Sequence, residues 1–152
     1  MRVVVILCLL AGLAQAESRT ATGYRHGRAF RLRVVDIDLS EVEVSTARAF
    51  RTMERAAAKD GVALIVMSGF RTYAKQAELY RDWRAGEGHL AARPGYSNHQ
   101  SGRALDIVLA RGVLDWLSGH APRFGFRRTV PGESWHWEFV GAPHGKRVAR
   151  RR

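Results

Sequence analysis

Cys8 is the only cysteine in the 152-residue chain, and it lies inside an apolar run, Val3 to Leu13, that the chain is expected to lose. Arg2 precedes the run and Ala14-Gln15-Ala16 follows it as an A-x-A cleavage site, so residues 1–16 read as a secretory signal peptide. The run is too short to span a bilayer, which gives the expectation of a periplasmic or secreted protein with no transmembrane anchor in its mature chain. Once Cys8 is gone, roughly 136 residues must fold without a disulfide. A domain of that size rests on a packed core, or on a core plus a metal.

The full chain has 25 basic and 14 acidic residues, a net charge of +11. Such a balance favours anionic surroundings, but only Lys59, Lys75 and Lys146 are lysines, and a bias toward arginine is one that base composition alone produces. The total therefore points to no specific nucleic acid. The one local concentration, Lys146-Arg147 with Arg150-Arg151-Arg152, reads as a basic tail over residues 144–152 that can meet anionic wall or envelope polymers.

Residues 17–31 are rich in Gly, Arg and Thr without periodicity and read as an irregular N-terminal arm. The working domain is then 32–143. Leu32 to Leu39 alternates in part as a short strand ending at Ser40. A helix follows from Ser45 as N-cap, with Ala49, Met53, Ala56 and Ala57 at helical spacing, and Asp60-Gly61 stops it. The run VALIVMSGF reads as a buried central strand, and Ala74, Ala77, Leu79 and Tyr80 mark a second helix up to Gly86. A Gly- and Pro-punctuated loop leads to Asn98. Strands over 102–110, after Gly125 and in SWHWEFV, with a short helix between Gly112 and Gly119, complete the chain. Early helices followed by strands joined through short turns predict an α+β domain with an antiparallel sheet.

Three stretches place polar residues beside these strands where the apolar pattern does not require them: Ser68 to Gln76, Ser97 to Asp106, and Glu133 to His136. A catalytic zinc takes three ligands from His, Asp, Glu or Cys and leaves one position open. With no cysteine in the mature chain, His99, Asp106 and His136 form a candidate set, and Gly102 permits the turn between the first two. His26, His89, His120 and His144 are read as ordinary surface or capped histidines. Side chains alternate along a strand, which sends Trp135 and Trp137 to the core and His136 and Glu138 to the other face. Glu133 reaches the same point only if it sits in the turn after Pro131-Gly132, and from there it can take a proton from a water without being a ligand. Glu138 is read as a neighbouring salt-bridge partner, and Asp36 and Asp38 as strand-end charges.

These blocks are similar to those of a known family. SNHQSGRALD fits S-x-H-x-x-G-x-A-x-D, ESWH fits E-x-W-H, and SGFRTYAKQ resembles S-G-[YF]-R-[ST]-x-x-x-Q, the three ordered motifs of the zinc D-alanyl-D-alanine carboxypeptidases, or VanY-like peptidases. The resemblance runs over roughly residues 36 to 140. It implies the hedgehog/DD-peptidase fold, Zn2+ as cofactor on His99, Asp106 and His136, Glu133 as catalytic base, Arg71 as catalytic and substrate-steadying residue, and Ser97 and Gln76 as substrate contacts. Phe70 and Thr72 stand where many relatives have Tyr and Ser. The implied activity is a D,D-carboxypeptidase removing C-terminal D-alanine from peptidoglycan stem peptides. Relatives sharing the ligand pattern are L,D-carboxypeptidases or L-alanyl-D-glutamate endopeptidases, a choice governed by loops such as 84–96. A non-catalytic cell-wall or polyanion-binding domain is the alternative from another class.

Overall fold

The computed structural model describes residues 17–141. The expected signal peptide and the basic tail, His144 included, lie outside the described residues. The chain runs β1 (Arg19–Arg25), β2 (Arg28–Ile37), β3 (Ser40–Glu43), α1 (Val44–Lys59), β4 (Val66–Ser68), α2 (Tyr73–Ala85), a 3₁₀ turn Asn98–Ser101, β5 (Ala104–Ile107), α3 (Val113–His120), a second 3₁₀ turn Ala121–Phe124, β6 (Phe126–Arg127) and β7 (His136–Phe139). The strands form two antiparallel sheets, β1-β2-β3 and β4-β5-β7-β6. This is the α+β architecture expected.

The expected irregular arm is instead most of a β-hairpin. Arg25 pairs with Arg28 across His26-Gly27, whose φ angles of 50° and 77° are the paired positive values of a type I′ turn. The apolar pattern could not reveal it, because β1 turns only Ala21, Gly23 and Tyr24 inward and is held by backbone pairing to β2. The hairpin tip is tied to the long loop by Gly27 N–H donating to the Gly95 carbonyl at 2.9 Å, and Tyr24 packs on Tyr73 with ring centroids 4.9 Å apart.

Helix α1 begins one residue before the expected cap. Glu43, not Ser45, is the N-cap, its carboxylate accepting from the N–H groups of Ser45 and Thr46. Phe50, Met53 and Ala57 bury its inner face in a core shared with Ile37, Val42, Val66, Leu105, Ile107 and Trp137. The apolar run before Arg71 makes only a three-residue strand, and at a sheet edge, not its centre. Leu64 and Val66 point inward while Ile65 and Met67 stay 44% and 54% exposed. An unbroken apolar run conceals that alternation. Asp38 joins the two sheets, accepting from Val66 N–H at 2.8 Å, so it does more than end a strand. Regular pairing of the last strand starts at His136, so Trp137 is buried as expected but Trp135 remains 41% exposed. Among the described residues, no helix is long and apolar enough to cross a membrane.

Candidate metal centre

Strand β5 pairs on one side with β4 and on the other with β7, and the register sets Asp106 opposite both Ser68 and His136. The 3₁₀ turn before β5 carries His99, and Gly102 closes it with φ 70°. These two local devices converge three side chains. One nitrogen or oxygen from each of His99, Asp106 and His136 lies within 4.8 Å of the others, and all three residues are at most 9% exposed. His99 Nε2 is 3.3 Å from Asp106 Oδ2 and His136 Nδ1 is 3.1 Å from Asp106 Oδ1. Ligands at about 2.0–2.2 Å around a tetrahedral zinc stand about 3.4 Å apart.

The donor chemistry fits such an ion. His99 Nδ1 sits 2.7 Å from the Gly69 carbonyl, which can only accept, so Nδ1 carries the proton and Nε2 offers its lone pair to the cluster. That contact needs Gly69 close to β3: a Cβ there would lie 2.3 Å from the Glu41 carbonyl. His136 turns Nδ1 toward the cluster, where its lone pair would be available to an ion, and leaves Nε2 buried without a partner among the described residues, a cost of about 1–3 kcal/mol. Burial pushes the Asp106 carboxyl up, but hydrogen bonds to His136 and His99 outweigh it and hold the group well below the ordinary carboxylate range. The charged form that a cation needs is therefore the one the site favours.

Glu133 sits in the turn before β7 and brings Oε2 to 3.8 Å from His136 Nδ1 with its side chain 36% exposed. It is thus beside the cluster and open to solvent. Glu138, its competitor, leads elsewhere: its Oε2 accepts from Asn98 Nδ2 at 3.2 Å, a hydrogen bond in place of the expected salt bridge. Neither His26, His89 nor His120 joins the cluster.

Arg71 follows β4 and is held from both sides. Its backbone N–H donates to the His99 carbonyl at 3.2 Å, and its guanidinium donates to Gln76 Oε1 at 3.0 Å and Ser68 Oγ at 3.4 Å. Burial lowers its pKa, while the charges of Asp106 and Glu133 pull the other way. An arginine remains a cation under such a shift.

Gln76 is not placed to touch a substrate. It is fully buried and bridges Arg71 to the loop, its Nε2 donating to the Ala92 carbonyl at 2.7 Å. Its place on α2 is the one that faces inward. Gln100, which the sequence reading missed, is also fully buried and accepts from Gly95 N–H at 2.7 Å. Two buried amides therefore fix the loop at Ala92 and Gly95. Gln100 stands beside His99 within SNHQSG, and a large polar side chain there was the available signal. Ser97 is 9% exposed at the start of the 3₁₀ turn, where its side chain makes no capping hydrogen bond.

Comparison with known proteins bears on the same segments. The family model described as VanY: D-alanyl-D-alanine carboxypeptidase matches residues 39–142. A D-alanyl-D-alanine carboxypeptidase of Enterococcus faecium is 31% identical over 115 residues, covering 64% of this chain but 37% of the relative, so this chain spans well under half of that protein's length. The peptidoglycan L-alanyl-D-glutamate endopeptidase CwlK of Bacillus subtilis (strain 168) is 32% identical over 116 residues, covering 74% of this chain and 68% of the relative. Among solved structures, a Zn(II) complex of a mutant of the vancomycin resistance D,D-pentapeptidase VanY matches with TM-score 0.55 and 29% identity, over 70% of this chain and 80% of that one. The LdcB LD-carboxypeptidase matches with TM-score 0.60 and 28% identity, over 70% and 62%.

Proposed function

The chain belongs to the VanY D-alanyl-D-alanine carboxypeptidase family, and from that premise we propose that it is a zinc peptidase removing the C-terminal D-alanine of peptidoglycan stem peptides. The observation that carries the reading is Glu133, a carboxylate 3.8 Å from His136 Nδ1 yet outside the three-residue donor set. A binding domain has no use for a base there. His99, Asp106 and His136 would hold the ion, which when bound supplies Lewis acidity for a carbonyl and for a water.

The remaining work falls to the chain. Glu133 accepts a proton as water oxygen adds to the scissile carbonyl carbon, and returns it to the amine nitrogen as the C–N bond breaks. Arg71, fixed by Gln76 and Ser68, presents positive charge where negative charge develops on the carbonyl oxygen. Ser97, at the start of the turn that carries His99, is the polar contact this reading assigns to the substrate.

The test is hydrolysis of a pentapeptide stem by the zinc-loaded protein, with released D-alanine assayed and muropeptides weighed by mass spectrometry. Glu133→Ala is expected to abolish release while zinc stays bound. Survival of activity in that variant overturns the mechanism, and wild-type inactivity with retained polyanion binding favours the non-catalytic alternative. An L-alanyl-D-glutamate endopeptidase is the second reading, favoured by the 68% coverage of that relative, and the fragment masses distinguish it. We place the protein in the periplasm or outside the cell from residues 1–16; the N-terminus of the mature protein, expected near Glu17, tests this.

A further inference from the structure

We propose that the N-terminal hairpin and the cleft it forms beside the start of α1 are a docking site for a linear phosphodiester polymer. The argument begins with where the charge lies. Residues 17–35 hold five arginines, Arg19, Arg25, Arg28, Arg31 and Arg33, against the single acid Glu17, a net of +4. Residues 36–141 hold fourteen basic and thirteen acidic residues, a net of +1. Apart from the basic tail, the excess among the described residues is therefore concentrated in one hairpin, which lies ahead of the segment matched by the family. A uniform base-composition bias toward arginine does not produce that asymmetry.

These charges are also available. Arg19 is taken by Glu41, but among the described residues Arg25, Arg28, Arg31 and Arg33 enter no ion pair; Arg33 donates only to the Ser18 hydroxyl. Arg25, Arg31, Arg33 and Arg103 line, with Phe30 and Glu43, a cleft of about 500 Å³. A second hollow of about 560 Å³ shares Arg25 and Phe30 with it and continues past Arg28. Glu43 is the one acid on the wall, and its two oxygens are already engaged by Ser45 and Thr46. It offsets one charge of four.

The arrangement selects the class of ligand. Arg31 and Arg33 recur along β2 about 7 Å apart, and guanidinium forks match phosphate oxygens. A row of such charges in a continuous groove suits repeated anions better than one anion. Phe30 is the one apolar ring in the cleft, so there is no series of rings on which nucleobases stack. Nor does a concave wall with one such ring suit insertion into a lipid surface. A base-free polymer of phosphodiesters remains. Ser101 and Arg103 on the cleft wall belong to the segment linking His99 to Asp106. No catalytic step is involved, so this site stands or falls apart from the peptidase reading.

The experiment titrates the full chain, tail retained, with a poly(glycerol phosphate) oligomer at several salt concentrations. Binding is expected to weaken with salt. Arg31→Gln/Arg33→Gln is expected to lower affinity about 10-fold or more and to flatten the log–log salt slope by about 1.5 to 2, with thermal midpoint and zinc stoichiometry unchanged. The charge-matched Arg81→Gln/Arg84→Gln, on α2, is expected to bind like the wild type. Equal losses in both variants, or no binding by the wild type, overturn the proposal. So does tighter binding to a single-stranded oligonucleotide of equal phosphate number, or to phosphatidylglycerol vesicles.

Discussion

Helices α1 and α2 have similar lengths, 16 and 13 residues, and each follows a short strand. Helix α1 buries Phe50, Met53 and Ala57 completely. Helix α2 fully buries one residue, and that residue is Gln76. The first helix is held by apolar area. The second is held by hydrogen bonds from Gln76, by Thr72 as N-cap and by the contact of Tyr73 with Tyr24. A helix that contributes little to the core can still be required, when its task is to fix the position of one cation.

If that division is right, substitutions in the two helices separate stability from catalysis. The largest expected effect is from Phe50→Ala, a loss of about 3–5 kcal/mol of unfolding free energy with the rate per folded molecule unchanged, read by denaturant titration alongside turnover. A drop in that specific rate would break the comparison. Arg71→Ala is expected to do the opposite, lowering kcat by about 10²–10³-fold while the thermal midpoint moves little. Gln76→Ala sharpens the contrast: about 10-fold or more off kcat through misplacement of Arg71, with about 1–3 kcal/mol of stability lost because the Ala92 carbonyl is left unpaired. An unaltered kcat in that variant would mean Arg71 holds its place without help.

The caps give the smallest effect. Thr72→Ala and Glu43→Ala should each cost about 1 kcal/mol, but only the second should change the acid limb of stability. Burial raises the Glu43 carboxyl, yet its hydrogen bonds to Ser45 and Thr46 bring it below its ordinary value of 4.5. A folded-state pKa below the unfolded one means the contribution is complete above about pH 4.5 and fades as pH falls through the lower folded value. Melting curves of wild type and Glu43→Ala should therefore converge in acid and stay apart at neutral pH.

Much of the site could be read from the chain because its chemistry is local. His99, Gly102 and Asp106 lie within one turn and the strand it feeds, and Glu133 precedes His136 within one turn and strand. The hairpin was illegible for a physical reason: β1 turns inward only two small residues and one tyrosine, and its order comes from backbone pairing to β2. Gln76 was legible as a residue of interest but not in its role, since nothing near it in sequence says that Ala92, sixteen residues on, comes back to accept its proton.

By itself the sequence determined the kinds of donor available, the glycine that lets the chain turn between His99 and Asp106, and the alternation that turns Trp137 and His136 to opposite faces. Those follow from bond geometry and the chemistry of near neighbours. Only the tertiary structure decided that Gly69 orients His99, that Asp106 meets His136 thirty residues away, and that arginines without an ion-pair partner among the described residues gather along one groove. Contacts between distant segments depend on which surfaces exclude water together, and no local window of residues contains that information.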